Sequence, residues 1–233
     1  MGFSDLITLD RHLLLSLNGS ESLFFDGLVR TLTAASTWIP LYIALLYLVM
    51  KNNDRYQKVL FIVMCAGLCV FLAGSLDDMF VKPTVARWRP TRDPVIGADV
   101  DLVNSYRGGR FGFFSAHASN TFSIAIFFAL LIRSKLLSTS LIIWSLVNCW
   151  TRLYLGVHFP GDILVGLLWG AIVGIAMWHL YIRLSRPYAT EVTYVSEQYT
   201  TTGYELRDVD VVVSVLAFTL AYAFIKACFY LYS

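Results

Sequence analysis

Long apolar runs separated by short polar stretches dominate the chain, and this pattern predicts a bundle of membrane-spanning helices. A helix needs about 20 mostly apolar residues to cross the roughly 30 Å of hydrocarbon in a bilayer. Six runs have about this length: 32–50, 58–80, 114–132, 136–154, 160–182 and 209–231. The pattern therefore predicts an all-α, polytopic membrane bundle of about six transmembrane helices.

Three polar regions outside these runs each have a different character. In residues 3–30, leucines at helical spacing stand beside charged residues, which predicts an N-terminal amphipathic helix at the membrane interface rather than a signal peptide. Residues 81–113 form the longest polar interval and contain three of the six prolines. Residues 185–208 include a stretch rich in Thr, Tyr and Glu, which favours an extended or hairpin-like segment.

Composition strengthens the membrane prediction. Of the 233 residues, 57% are hydrophobic and 15% are charged, whereas about 25% are charged in soluble domains. We expect a single domain over residues 1–233, with a motif-bearing core over 32–185. The basic residues are spread over loops, which argues against nucleic acid as a partner. All four cysteines lie in apolar runs, which predicts packing rather than disulfides or metal binding.

The distribution of Lys and Arg over the loops predicts the orientation of the protein in the membrane only under one assumption. The loops after the first, third and fifth runs are basic, but the opposite side is equally basic, so the raw counts nearly cancel. If the cations on the opposite side bind a ligand, they are not topology signals. The odd loops are then cytoplasmic. The polar clusters would face the periplasm or exterior of a bacterial inner membrane.

Small residues repeat along the fifth run. Gly166, Gly170 and Gly174 are four residues apart, which lets another helix approach closely. Packing inside the bundle is the preferred interpretation. A dimer face is the alternative, so the expected state is a monomer or a homodimer.

Three polar clusters lie where apolar runs begin or end. They are Lys82 to Pro90, Phe114 to His117, and Thr151-Arg152 with His158 and Asp162. Arginine forks and lysine charges suit a phosphoryl group, whose transition state spreads negative charge over three oxygens. Lys82, Arg89 and Arg152 are therefore candidate phosphate ligands, and anchoring at the membrane interface is the alternative.

Two histidines stand in settings that suit catalysis. Ser115 is suited to N-cap the helix of the third run, whose N-terminus attracts anions, and His117, two residues later, can protonate a leaving oxygen. His158 and Asp162 are four residues apart around Pro160, so the carboxylate can orient a nucleophilic imidazole. Two His and one Asp could ligate zinc, but the surrounding cations would repel a metal ion.

The combined pattern resembles the type-2 phosphatidate phosphatase superfamily, which includes membrane lipid phosphatases and soluble vanadium haloperoxidases. The pattern is K-x-x-x-x-x-x-R-P, then S-x-H, then R-x-x-x-x-x-H-x-x-x-D, and it is carried by Lys82, Arg89, Pro90, Ser115, His117, Arg152, His158 and Asp162. The family usually has Pro-Ser-Gly-His where this chain has Phe-Ser-Ala-His, and Ser-Arg where it has Thr-Arg. These departures bear on the phosphate loop and substrate choice, and they remove no catalytic group.

The resemblance implies a role for each matching residue. His158 would be the nucleophile that forms a phospho-histidine, Asp162 would orient it, and His117 would protonate the leaving group. The phosphate would be bound, without metal or cofactor, by Lys82, Arg89, Ser115, Ala116 and Arg152. Candidates for binding a second phosphate or an anionic headgroup are Arg87, Arg92, Arg107 and Arg110, and a solvated basic rim is the alternative.

The expected function is metal-independent dephosphorylation of a membrane lipid in the bilayer. The long 81–113 interval suits a large headgroup, so the prediction leans toward a polyprenyl diphosphate such as undecaprenyl diphosphate, or toward a lipid A phosphate. Phosphatidylglycerol phosphate, phosphatidate and soluble phosphate esters are alternative substrates. A lipid-binding or transport protein is the non-enzyme alternative, although binding alone needs no nucleophile.

Overall fold

The computed structural model describes residues 2–188 and 197–231. Its α-helices are α1 (Phe3–Leu17), α2 (Leu23–Thr33), α3 (Ile39–Lys51), α4 (Tyr56–Val70), α5 (Lys82–Val85), α6 (Ala116–Ile132), α7 (Lys135–Tyr154), α8 (Pro160–Ser185) and α9 (Leu206–Tyr230). In these ranges β-structure is limited to isolated antiparallel bridges, Trp88 with Phe111 and Tyr199 with Glu205. The predicted all-α class is therefore confirmed.

Fewer helices meet a simple test for membrane spanning than the six predicted. Within the described ranges, three are long and apolar enough: Tyr56–Val85, Pro160–Tyr188 and Leu206–Tyr230. A fourth span results if α2 and the helical segment Ala35–Lys51, which are bent by 67°, are counted as one. Helix α6 is apolar but only 17 residues long, and α7 has Asn148, Thr151 and Arg152 in its second half. Length and composition thus identify three or four spans.

The helix predicted over the second apolar run, 58–80, extends further in the structure, into the polar interval that follows. Helix α4 passes through two π-helical stretches, Phe71–Ser75 and Asp77–Val81, into α5, and it ends where Ala86 takes a left-handed conformation (φ 50°). The charged residues near its end do not stop the helix because the Lys82 ammonium pairs with carboxylates one turn earlier. Lys82 is consequently a helical residue rather than part of a loop.

The N-terminal region, predicted as one amphipathic helix over 3–30, consists of the two helices α1 and α2. The break lies at Asn18, whose side-chain amide donates hydrogen bonds to the backbone carbonyls of Asp101 and Tyr154. Along α1 the leucines at helical spacing are exposed, namely Leu6, Leu9, Leu13 and Leu17. The apolar stripe of α1 therefore faces away from the protein.

Helices α6 and α8 pack closely through the glycines of the fifth run. A Cβ atom added to Gly166 would lie 2.8 Å from the carbonyl oxygen of Ser115, and one added to Gly170 would lie 2.6 Å from that of Ser119. Gly174 faces Ser123 in the same way, at 2.7 Å. The glycines thus let the two backbones touch, which confirms packing inside the bundle and sets the start of α6 beside the start of α8.

The segment predicted as extended or hairpin-like, 185–208, lies partly outside the described residues. Its described parts are a short 3-10 turn, Arg186–Tyr188, and a tight turn closed by the bridge between Tyr199 and Glu205. The second part is compatible with the predicted hairpin-like turn, and it leads directly into α9.

Candidate active site

The three polar clusters meet at one end of the helix bundle. The loop after α5 returns along itself, since Trp88 and Phe111 form an antiparallel bridge. The backbone N–H of Ser115, at the start of α6, donates to the carbonyl oxygen of Asp162 in the first turn of α8 at 3.1 Å. These contacts bring the loop, the start of α6 and the α7–α8 turn into one site.

His158 is buried at the centre of this site. Its Nε2 atom lies 3.2 Å from Nη1 of Arg89. Its Nδ1 atom lies 3.7 Å from Oδ2 of Asp162, which is within ion-pair range but longer than a hydrogen bond. Burial, and then the positive charges of Arg89, Arg152 and Lys82, lower the pKa of His158 well below its ordinary value of 6.5. The imidazole is therefore neutral at neutral pH.

Arg89 is held by backbone carbonyls. Its Nε donates to the oxygen of Phe111 and its Nη1 to the oxygen of Val157, both at 3.1 Å. Burial, and then the charge of Arg152, lower the pKa of Arg89 below its ordinary value of 12.5, yet a guanidinium keeps its proton in proteins. A Cβ at Gly112 would lie 3.1 Å from the Arg89 side chain, so glycine leaves room for it.

Arg152 and His117 line a cavity of about 870 Å³. Arg152 is 3% exposed, its Nη1 donates to the Thr33 hydroxyl at 2.5 Å, and its Nε has no hydrogen-bond partner. Within the part of the chain that the structure describes, neither Arg89 nor Arg152 forms a salt bridge. Buried charges are normally paired, so two such guanidinium groups near one imidazole could pair with a bound anion.

Lys82, by contrast, already has anionic neighbours. Its Nζ lies 3.0 Å from Oδ2 of Asp77 and also contacts Asp78. Asp77 is fully buried, and its Oδ1 accepts from the backbone N–H of Phe114 at 3.2 Å. Sequence reasoning did not single out this carboxylate, although an aspartate inside an apolar run is a functional signal. Asp77 therefore links Lys82 to Phe114, the residue before Ser115.

The start of α6 has the predicted cap. Ser115 is the N-cap residue, and its hydroxyl accepts from the backbone N–H of Ala118 at 3.4 Å. Ala116 is the first residue of the helix and His117 the second. A helix N-terminus of this kind can bind an anion such as phosphate through its backbone N–H groups.

Asp162 is fully buried and is held by two donors. Its Oδ1 accepts from Nη1 of Arg87 at 2.7 Å, and its Oδ2 accepts from the backbone N–H of Phe159 at 2.9 Å. Nη2 of Arg87 binds Oδ2 of Asp10 on α1 at 2.6 Å. Sequence reasoning missed Asp10, and its place on the polar face of a predicted amphipathic helix was the available signal.

The remaining candidate arginines occupy different places. Arg92 and Arg107 line the cavity that contains His117, and Nη1 of Arg107 donates to the carbonyl oxygen of Thr91 at 2.9 Å. Arg30 of α2, which the sequence did not indicate, lines the same cavity. Arg110 instead stacks its guanidinium on Trp88, 4.8 Å from the ring centre. The cavity thus has a rim of exposed arginines.

The charges at this site do not resemble a metal centre. In residues 2–188 and 197–231, no group of three or more His, Cys, Asp and Glu side chains is arranged to hold a metal ion.

Comparison with known proteins identifies relatives of this chain. Residues 58–186 match the family model described as the PAP2 superfamily. The chain is 38% identical to the lipid A 4'-phosphatase of Bacteroides thetaiotaomicron, over 76% of this chain and 77% of that protein. It is 35% identical to the lipid A 4'-phosphatase of Porphyromonas gingivalis, over 76% of this chain and 75% of that protein.

A more distant similarity covers part of the chain. The decaprenylphosphoryl-5-phosphoribose phosphatase of Mycobacterium tuberculosis is 33% identical over 47% of this chain and 55% of its own length. No solved structure gives a significant match. The family match covers more than half of the residues and all three polar clusters, and it confirms the resemblance seen in the sequence. The chain therefore belongs to the PAP2 superfamily and is a phosphatase.

Proposed function

We propose that the protein removes a phosphate group from a lipid A-type glycolipid by metal-independent catalysis at the outer face of a bacterial inner membrane. The observation that carries the proposal is the pair of buried guanidinium groups, Arg89 and Arg152, which surround the neutral His158 without a carboxylate partner. The named activity of the two more similar relatives supports the choice of lipid.

The contacts of His158 support Nε2 as the attacking ring nitrogen. A guanidinium only donates hydrogen bonds, so Nε2 accepts from Arg89 and carries the lone pair, which leaves the proton on Nδ1 toward Asp162. A phosphate oxygen would replace Nε2 as the acceptor for Arg89. The lone pair of Nε2 would then be free to attack phosphorus.

The reaction would proceed in two displacements. In the first, the bond from Nε2 of His158 to phosphorus forms while the bond from phosphorus to the lipid oxygen breaks, and His117 protonates that oxygen. In the second, water attacks the phospho-histidine, His117 accepts a proton, and inorganic phosphate leaves. Lys82, Arg89, Arg152 and the N-terminus of α6, with Ser115 and Ala116, would stabilise the charge on the transferred oxygens.

The cavity beside His117 suits a large anionic headgroup. It measures about 870 Å³ and is rimmed by Arg30, Arg92 and Arg107, whose side chains are exposed. We assign to this rim the recognition of a second phosphate or of other anionic groups of the headgroup. The transferred phosphate would lie deeper, between Arg152 and His158.

A placement in the membrane that fits this arrangement is part of the proposal. We propose that α2 with α3, the helix Tyr56–Val85, α6, α7, α8 and α9 form six passes, with the short α6 buried between its neighbours. The exposed leucines of α1 would lie in the interface on the side of the site. That side would be the periplasm.

The experiment that tests the proposed function is a substrate comparison with purified protein in detergent. Phosphate release would be measured from lipid A, undecaprenyl diphosphate, phosphatidate and p-nitrophenyl phosphate, with His158→Ala as the inactive control. We expect kcat/KM for lipid A to exceed the others by roughly tenfold or more, and mass spectrometry to show loss of the 4'-phosphate.

Two results would change the assignment. Preference for undecaprenyl diphosphate would move the substrate to the polyprenyl class, which the mycobacterial relative also represents. Hydrolysis of p-nitrophenyl phosphate without release from any lipid would reject a lipid substrate.

The phospho-histidine has its own test. An acid-labile, alkali-stable label from radioactive substrate should appear in the wild type and be absent from His158→Ala.

A further inference from the structure

Arg87 lies between two carboxylates that are far apart in the chain. Its Nη1 donates to Oδ1 of Asp162 at 2.7 Å, and its Nη2 donates to Oδ2 of Asp10 at 2.6 Å. The ring of Phe159 lies against the guanidinium, 4.2 Å from its central carbon to the ring centre. Both terminal nitrogens and one face of the group are therefore used by the protein.

The contact with Arg87 restricts how Asp162 can turn. With Oδ1 held by Arg87 and Oδ2 held by the backbone N–H of Phe159, the carboxylate cannot rotate without breaking a buried hydrogen bond. In this orientation Oδ2 faces Nδ1 of His158 at 3.7 Å. Arg87 therefore fixes the carboxylate that faces the imidazole within ion-pair range.

Asp10 of α1 contacts both Arg87 and the start of α8. While its Oδ2 binds Arg87, its Oδ1 accepts from the backbone N–H of Gly161 at 2.8 Å, in the first turn of α8. A Cβ at Gly161 would lie 3.0 Å from Oδ2 of Asp10, so the glycine leaves space for the carboxylate. Asp10 therefore holds both Arg87 and the helix start that carries Asp162.

We propose that Arg87 and Asp10 are positioning residues for Asp162, so that the N-terminal helix α1 is part of the catalytic apparatus. This inference rests on the proposed function, because it gives Arg87 its role through Asp162 and His158. It differs from headgroup binding, since the guanidinium of Arg87 is already used by two carboxylates, whereas Arg92 and Arg107 line the cavity with His117.

The test measures kcat and KM separately on p-nitrophenyl phosphate and on lipid A. Arg87→Met should lower kcat on both substrates by roughly 10- to 100-fold, because small misplacement of catalytic groups has effects of this size, with KM nearly unchanged. Arg87→Lys should recover part of kcat. Asp10→Asn, which keeps an oxygen for Gly161 but loses the charge on Arg87, should lower kcat less and in the same sense.

Arg11, the residue after Asp10 on α1, provides a matched control. It forms a salt bridge with Asp93 in the loop that also carries Arg87, with 3.0 Å between Nη2 and Oδ2, and it has no contact with Asp162. Arg11→Gln should leave kcat on p-nitrophenyl phosphate unchanged. A loss equal to that of Asp10→Asn would mean that any weakening of α1 docking lowers activity, and it would overturn the specific role of Asp10.

A double-mutant comparison separates positioning from direct contact. Because Arg87 is inferred to act through Asp162, adding Arg87→Met to Asp162→Asn should cause little further loss. Additive losses, or an effect limited to KM for lipid A, would overturn the inference. If Arg87→Met does not fold, Asp10→Asn with and without Asp162→Asn decides the question in the same way. Retained activity in His158→Ala or Asp162→Asn would reject the proposed mechanism instead, whatever the Arg87 variants do.

Discussion

Nη1 of Arg89 lies 3.2 Å from Nε2 of His158, so one cation contacts both the predicted nucleophile and the place where a phosphate would bind. A proton on Nε2 would remove the lone pair that attacks phosphorus. Burial, and then the positive charge of Arg89, oppose this protonation and lower the pKa of His158. Arg89 therefore contributes, after burial, to keeping the imidazole neutral before substrate binds.

The acidic limb of the pH profile should show this effect. Because the pKa of His158 is lowered from 6.5, we expect the wild type to stay active as pH falls through 6.5 and to lose activity only at lower pH. Arg89→Met removes a positive charge, which should raise the pKa of His158 and move the limb to higher pH. The measurement is kcat/KM against pH on p-nitrophenyl phosphate.

Ionisation of the substrate also changes kcat/KM with pH. This effect cancels when kcat/KM of the variant is divided by that of the wild type at each pH. Arg107→Met is the control, since Arg107 lies on the cavity rim and donates to the backbone at Thr91. An unchanged limb in Arg89→Met, or a limb at or above 6.5 in the wild type, would contradict the electrostatic role of Arg89.

Truncation of Arg89 should also weaken binding of the transition state. Arg89→Ala removes charge-assisted hydrogen bonds that strengthen as charge develops on the phosphoryl oxygens. We expect kcat/KM to fall roughly 100-fold, a loss of about 3 kcal/mol. Arg89→Lys should recover only part, because an ammonium cannot bind the carbonyls of Phe111 and Val157 and the phosphate with a planar fork.

The comparison for this prediction is Arg107→Ala measured on both substrate types. It should alter the preference between lipids and leave p-nitrophenyl phosphate little affected. Near wild-type kcat/KM for Arg89→Ala on both substrates would identify Arg89 as an interface anchor, and the phosphate site would then be built from other residues.

The sequence predicted the parts of this site that depend on residue type and local spacing. The N-cap at Ser115 and proline in the first turn of α8 follow from rules that act within one turn. The contacts of Asp10 with Arg87, and of Arg87 with Asp162, join residues 77 and 75 positions apart. No periodic pattern encodes such a pairing, because it depends on how the loop after α5 folds back over α1 and α8.

Removal of metal ions should not affect turnover. The positive charges of Lys82, Arg89 and Arg152 around His158 disfavour a cation there, so we expect full activity in excess chelator. Vanadate, which adopts a five-coordinate geometry like the phosphoryl group in transfer, should inhibit by competing with substrate. Loss of activity in chelator that one divalent ion restores would contradict this prediction.

The proposed orientation predicts opposite labelling of two loops. Asp54 is exposed between α3 and α4, and Asp99 is exposed in the loop after α5. In intact cells, a cysteine at Asp99 should react with an impermeant thiol reagent, and one at Asp54 should react only after the cells are opened. The background protein should lack Cys65, Cys69, Cys149 and Cys228. The reverse pattern would place the site in the cytoplasm and would require a different pool of substrate.

The close packing of α6 on α8 predicts that one added methyl group lowers both stability and activity. In Gly170→Ala the new Cβ would lie 2.6 Å from the carbonyl oxygen of Ser119, so the helices must separate. Overpacking of this kind costs about 1–3 kcal/mol. The shift should also disturb the 3.1 Å contact between the N–H of Ser115 and the carbonyl of Asp162, which aligns the two halves of the site. Thermal unfolding in detergent and kcat on p-nitrophenyl phosphate would measure the two effects.

Gly67→Ala provides the matched control for this change. A Cβ at Gly67 on α4 has no atom within 4 Å, outside its own helix and chain neighbours, and alanine favours the helix by up to about 1 kcal/mol over glycine. This variant should therefore keep its activity and unfold at the same or a higher temperature. If Gly170→Ala behaves like Gly67→Ala, the glycines do not set the distance between α6 and α8, and alignment of Ser115 with Asp162 must come from the loop contacts alone.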